Sequence, residues 1–167
     1  MHIILRIFAL SIIFFILLTG CNTVEESAAI KVARDYKTTE FNLDVIDASS
    51  PERIEKQLES TELYLTEDYY FKQYNTKNIS LPLQVAEKEQ AVLSTKDLQF
   101  NVNNKNNDDE NIILNYSFIL LLNNKESRQN KKINVEGLLT LKEINGKWLI
   151  QNDEYNIDEL KKLLSGN

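Results

Sequence analysis

The chain has 167 residues, 43% of them hydrophobic, and a formal net charge of −6. An acidic surface gains nothing beside phosphates, so nucleic-acid binding is excluded as a function class. A single cysteine rules out a disulfide within the chain, and a single histidine rules out the usual His/Cys zinc sites. Stability therefore has to come from one packed core, which a chain of this length supplies as a single domain.

In chain order, Arg6 comes first as a positive n-region, followed by the apolar run 7–18 and then Leu18-Thr19-Gly20-Cys21. The apolar run is shorter than the ~20 residues that a spanning helix needs. Leu-Thr-Gly-Cys resembles the lipobox of bacterial lipoprotein signal peptides. That resemblance implies removal of residues 1–20, lipidation of Cys21 and a short tether over 21–26. It also implies a partner in the membrane, reached through the lipid at the extracytoplasmic face of the cell. Cleavage would take away His2, and lipidation would consume the thiol of Cys21. Ser-His-Asp and Cys-His nucleophile systems would then be excluded for want of an imidazole base. Abundant Lys and Asn with little Gly and Pro suggest an AT-rich genome, as in low-GC Gram-positive bacteria.

From residue 27 to 167 the pattern predicts one α+β domain. Ala28, Ala29, Ile30, Val32, Ala33 and Tyr36 form an apolar stripe at helical spacing, in a helix starting near Glu25. Residues 44–48 are ambiguous. Pro51 at a first helical position, with Ser49 and Glu52 as a capping box, predicts a second helix that points Ile54, Leu58 and Leu63 one way. Thr66 caps a third helix, from which Tyr70, Phe71 and Tyr74 are expected to pack inward. Leu81-Pro82 is expected to end the helical half.

Strands follow. Leu98, Phe100 and Val102 alternate with polar residues, and a further strand is a candidate between Leu83 and Leu93. The Asn/Asp-rich stretch 103–111 reads as a loop. Residues 112–122 are apolar at nearly every position, which predicts a central strand covered on both faces. A polar turn runs through 123–132. Ile133, Val135, Gly137, Leu139 and Leu141 then alternate with polar residues, Asn145-Gly146 marks a tight hairpin, and Trp148 to Ile150 return as the last strand. Asn156 and Glu159 can box-cap a short terminal helix with Ile157, Leu160 and Leu164 on one face. The expected architecture is N-terminal helices on one face of a curved antiparallel sheet of four to five strands, ending in a short helix.

Two segments carry a resemblance: Leu63-Tyr64-Leu65-Thr66-Glu67-Asp68-Tyr69-Tyr70, and Leu138-Leu139-Thr140-Leu141-Lys142-Glu143-Ile144-Asn145-Gly146-Lys147-Trp148-Leu149-Ile150. With the element order, they are similar to the nuclear transport factor 2-like fold, the cone shared with SnoaL and ketosteroid isomerase relatives. The terminal helix departs from many of those relatives. The resemblance implies a cavity that binds a small molecule and, in some relatives, proton transfer by a carboxylate in an apolar pocket.

No position here matches the catalytic residues of those relatives, so no residue is assigned a catalytic or metal-binding role and no cofactor is implied. Candidate pocket or interaction residues are Tyr64, Tyr69, Tyr70, Tyr74, Tyr116, Trp148 and Asp153, with Cys21 as the lipidation site. Asp97 reads as a turn cap and Glu136 as a solvated residue. Residues 108–110 lack the spaced ligands and turn glycine of a calcium loop. The functional expectation is a membrane-anchored, non-catalytic module that binds a small ligand or an envelope protein. The alternatives are a scaffold subunit of a conjugation or secretion assembly and an isomerase-like enzyme.

Overall fold

The computed structural model describes residues 21–44, 50–103, 110–124 and 130–165. Residues 1–20, read as a signal segment, residues 45–49, which take in most of the ambiguous stretch 44–48, most of the loop 103–111, half of the turn 123–132 and residues 166–167 lie outside them.

The fold is α+β. Helix α1 (Cys21–Phe41), α2 (Pro51–Glu62), α3 (Glu67–Thr76), a 3-10 turn (Asn78–Ser80) and α4 (Leu81–Lys88) precede four strands. These are β1 (Ala91–Val102), β2 (Asn111–Asn124), β3 (Asn130–Ile144) and β4 (Lys147–Tyr155), with α5 (Asp158–Ser165) last. The sheet is an antiparallel meander in the order β1-β2-β3-β4. The stretch 21–26, expected to be a tether, is helical and continuous with the rest of α1.

Several local signals hold. Thr66 caps α3 by accepting from the Tyr69 N–H, and Asn145 and Gly146 both take positive φ in the β3–β4 turn. Others are corrected. The α2 cap is Ser50, whose side chain accepts from the Arg53 N–H, not Ser49. Leu63 lies beyond the helix as its C-cap and is 66% exposed. Leu81-Pro82 opens α4 instead of ending the helices, because proline is tolerated in a first turn where its missing N–H has no partner to lose. Leu83 is accordingly helical, and Ala91 to Leu93 open β1, with no fifth strand among the described residues. Asn156 does not cap α5. Its side chain accepts from the Glu136 N–H and donates to the Asn134 carbonyl, extending the β3–β4 ladder.

The helices pack on one sheet face, through Leu93, Leu114, Tyr116, Phe118, Leu120, Val135, Leu139, Leu141 and Ile150. β2 was expected to be covered on both sides. It alternates instead: Leu114, Tyr116, Phe118, Leu120 and Leu122 are buried, while Ile113, Ile119 and Leu121 face the other way half-buried. Both sheet edges are closed by single bridges, Leu43 on Leu93 and Leu65 on Ile150. The second holds the α2–α3 connection against β4 through Thr66 N–H to Ile150 O (2.9 Å) and Ile150 N–H to Tyr64 O (2.7 Å).

Candidate functional site

The interior is built around a charge. Ala29, Ala33, Lys37 and Phe41 follow one another at four-residue spacing along α1, so all four sit on the buried row, and Tyr36 and Glu40 flank them. Lys37 has no exposed surface, and its ammonium donates to Glu40 (2.6 Å) and to Asp153. Four rings surround it, with centroids 5.1 Å (Tyr36), 5.2 Å (Phe41), 4.8 Å (Tyr116) and 4.8 Å (Tyr155) from Nζ. The lysine thus occupies an aromatic cage of the kind that recognises cations.

Asp153 reaches this point because β4 is bulged. Leu141 pairs with Ile150 but Thr140 pairs with Asn152, which leaves Gln151 as the extra residue. One inserted residue reverses the facing of everything after it, so Asp153 and Tyr155 turn inward opposite Leu139 and Gly137. Both belong to β4, whereas the sequence pattern put them beyond the last strand. The Tyr116 hydroxyl donates to Asp153 Oδ1 at 2.8 Å, so each carboxylate oxygen already accepts a hydrogen bond.

Gly137 makes this reach possible. A Cβ there would stand 2.7 Å from Tyr116 Cζ and Oη and collide with the Glu154 carbonyl. Replacement by alanine has to displace Tyr116 or the β4 backbone. Gly137→Ala is expected to destabilise the protein by about 1–3 kcal/mol. A denaturation midpoint unchanged from the parent would show that the tyrosine–aspartate contact is not held this tightly.

The electrostatics follow from burial. Desolvation, reinforced by Glu40 and Asp153, holds the hydroxyls of Tyr36, Tyr69, Tyr116 and Tyr155 well above the usual tyrosine range, so all four stay protonated. Glu40 is pushed up to about 7, first by burial and then by Asp153, against the pull of Lys37. One buried ammonium cannot neutralise two buried carboxylates, so the second carboxyl retains its proton more readily. Burial works against the charged form of Lys37, but the two carboxylates outweigh it and its pKa is raised. A cavity of about 220 Å³ adjoins the cluster, lined by Glu40, Tyr69, Gln73, Asp153, Glu154 and Tyr155.

The sequence candidates therefore separate. Tyr69, Tyr116 and Asp153 meet at the ion cluster, and Tyr64 sits beside it against Tyr36, ring centroids 6.5 Å apart. Trp148 is buried in the core near the hairpin. Tyr70 and Tyr74 lie elsewhere. Tyr70, Phe71 and Tyr74 were expected to pack inward; Tyr70 does so half-buried against the edge of the core, but α3 turns Tyr69 and Gln73 fully in, leaving Tyr74 58% and Phe71 52% exposed. The backbone bond from Thr66 to Ile150 sets that phase. Lys37 and Glu40 were not among the sequence candidates. The signal was available as one charged residue in the row Ala29, Ala33, Phe41.

Tyr70 and Tyr74 face a second site, a groove of about 580 Å³ between α2 and α3. Pro51, Ile54, Leu58 and Ile79 form its apolar floor, and Glu55, Glu59, Glu62 and Lys77 line it. It is the larger of the two sites. No protein-family model matches the chain, and no curated protein is similar enough to lend it a function. Among the described residues no His/Cys/Asp/Glu group is arranged to hold a metal ion, and no helix is long and apolar enough to cross a membrane.

Proposed function

We propose that this protein is a lipid-anchored extracytoplasmic binding module, held at the bacterial membrane through Cys21 and non-catalytic. The lipobox-like Leu18-Thr19-Gly20-Cys21 supports the anchor. The order of helices, meander and hairpin supports the likeness to the nuclear transport factor 2-like cone. The observation that carries the binding role is the division between the two sites. The interior cage holds the protein's own Lys37, and both Asp153 oxygens are engaged, whereas the α2–α3 groove is open, apolar-floored and larger. Binding therefore takes place at the groove, and an envelope protein is the partner class.

The isomerase-like alternative has one observation in its favour: Glu40, a carboxyl titrating near neutrality, lines the small cavity. Its Oε2 is held by the ammonium of Lys37 at 2.6 Å.

Two measurements test the reading on the full chain in a Gram-positive host. Intact mass should show a diacylglyceryl-modified residue 21 at the N-terminus, and a free thiol or a retained leader would remove the anchor. A photo-crosslinking amino acid at position 74 should trap a discrete envelope protein that the same group at position 138, on the opposite sheet face, does not trap. Equal or absent adducts would remove the groove as the working surface.

A further inference from the structure

Resting on the groove reading above, we infer that the occupant of the α2–α3 groove is a cationic amphipathic helix of a protein partner. The groove joins two features that a single class of ligand satisfies together. Its floor is apolar, with buried Leu58 and Ile79 and half-buried Ile54, and Tyr70 and Tyr74 stand as aromatic walls. Its α2 side is a ridge of carboxylates. Glu55, Glu59 and Glu62 are four and three residues apart, so they share one helix face and span about 10 Å along its axis.

Among the described residues none of the three glutamates makes an ion pair, and all three are exposed. Their fields converge on the groove: Tyr70 is raised above the ordinary tyrosine range by burial first and then by Glu62, Tyr74, Glu59 and Glu55. Among the described residues Lys77 is the one cation lining the groove. The site is therefore electronegative along one side and greasy along its bottom.

A compact small molecule can fill the floor but cannot meet three carboxylates strung along a helix. A helix laid lengthwise can do both, with apolar anchors at i, i+3, i+4 and i+7 and Lys or Arg along the flank facing α2. The exposed side chains continue past the groove. The three large hydrophobic residues with the greatest exposure among those described, Leu63, Tyr74 and Phe71, all come from the end of α2 and from α3. Leu63 and Phe71 do not line the groove, but they directly follow Glu62 and Tyr70, which do, and so add apolar surface beside it.

The test uses two labelled helical peptides of about 14 residues with identical leucine faces, one flanked by lysines and one by glutamates, titrated against the full chain by fluorescence anisotropy. The lysine peptide should bind and the glutamate peptide should not. Raising salt from about 0.15 to about 1 M should weaken binding, and Glu59→Lys should weaken it about tenfold. Glu59 is an exposed helix position, so that variant should keep its fold, and far-UV circular dichroism checks this.

Equal binding of the two peptides, no binding of either, or indifference to Glu59→Lys would overturn the inference. So would saturation of the groove by an uncharged fatty alcohol with no peptide binding, or a concentration-dependent dimer abolished by Tyr74→Ala. If the peptides fail while crosslinks from position 74 persist, the partner class is wrong and the binding module stands. If both fail, the module reading falls as well.

Discussion

Lys37→Met is expected to destabilise the protein by about 3–5 kcal/mol, the largest effect of any single substitution considered. Methionine retains most of the buried stem and removes only the charge. The packing against Tyr36, Phe41, Tyr116 and Tyr155 therefore largely survives, and the loss reads out electrostatics. What remains is Glu40 and Asp153, both nearly without solvent exposure and both deprived of their shared counter-ion. A buried carboxylate without a partner is costly, and two near each other are worse.

The size of the loss measures the abandoned carboxylates more than it measures the worth of the ion pair. Replacing the whole cluster by neutral groups should therefore restore most of the stability. Lys37→Met combined with Glu40→Gln and Asp153→Asn keeps shape and leaves Tyr116 an acceptor at residue 153. That triple variant should recover more than half of the single variant's loss in urea denaturation, with an unchanged slope. A single variant within about 1 kcal/mol of the parent would mean that the cluster is not the dry, charged core described above.

The cluster also marks where sequence reading stops. Signals confined to a few neighbouring residues were legible: Thr66 before Glu67 and Asp68, Pro51 after a serine, and Asn145-Gly146 between alternating runs. Each works through bonds or dihedrals inside one turn, so no tertiary knowledge is needed. The facing of Asp153 was not legible. Strict alternation from Trp148 and Ile150 sends Asn152 and Glu154 inward, and only the extra residue Gln151 reverses this. A bulge there has no glycine or other local mark.

Lys37 was half legible. Its place in the row Ala29, Ala33, Phe41 follows from the helical period, and Glu40 is three residues away, but its second carboxylate, Asp153, is 116 residues away, in a strand whose facing depends on that bulge. The expectation failed for Phe71 and Tyr74, though not for half-buried Tyr70, for a related reason. An aromatic-rich helix offers more than one apolar face, and the backbone bond from Thr66 to β4 selects the one carrying Tyr69 and Gln73.

Stability should fall as pH rises from about 4.5 toward and beyond 7, and Glu40→Gln should abolish that part of the fall. The Glu40 carboxyl is raised from 4.5 to about 7 by burial and by Asp153, with Lys37 pulling the other way. A raised value means that the folded state holds this proton more tightly than the unfolded chain does. The resulting stabilisation is fully present below the unfolded value and is lost as pH climbs through the folded one. At one pKa unit per 1.36 kcal/mol the window carries roughly 3 kcal/mol at most.

Lys37, raised from its own ordinary value, contributes on the alkaline side and does not move within this window. The tyrosines facing Glu40 are held protonated far above it. The decisive quantity is the difference between parent and Glu40→Gln in unfolding free energy, measured at intervals from pH 4.5 to pH 8, since titrations common to both chains cancel in it. Relative to the variant, the parent should lose stability steadily across the window. A flat difference would mean that the folded state does not hold the Glu40 proton more tightly than the unfolded chain, and a rising one would mean that the ammonium of Lys37 holds Glu40 ionised despite burial.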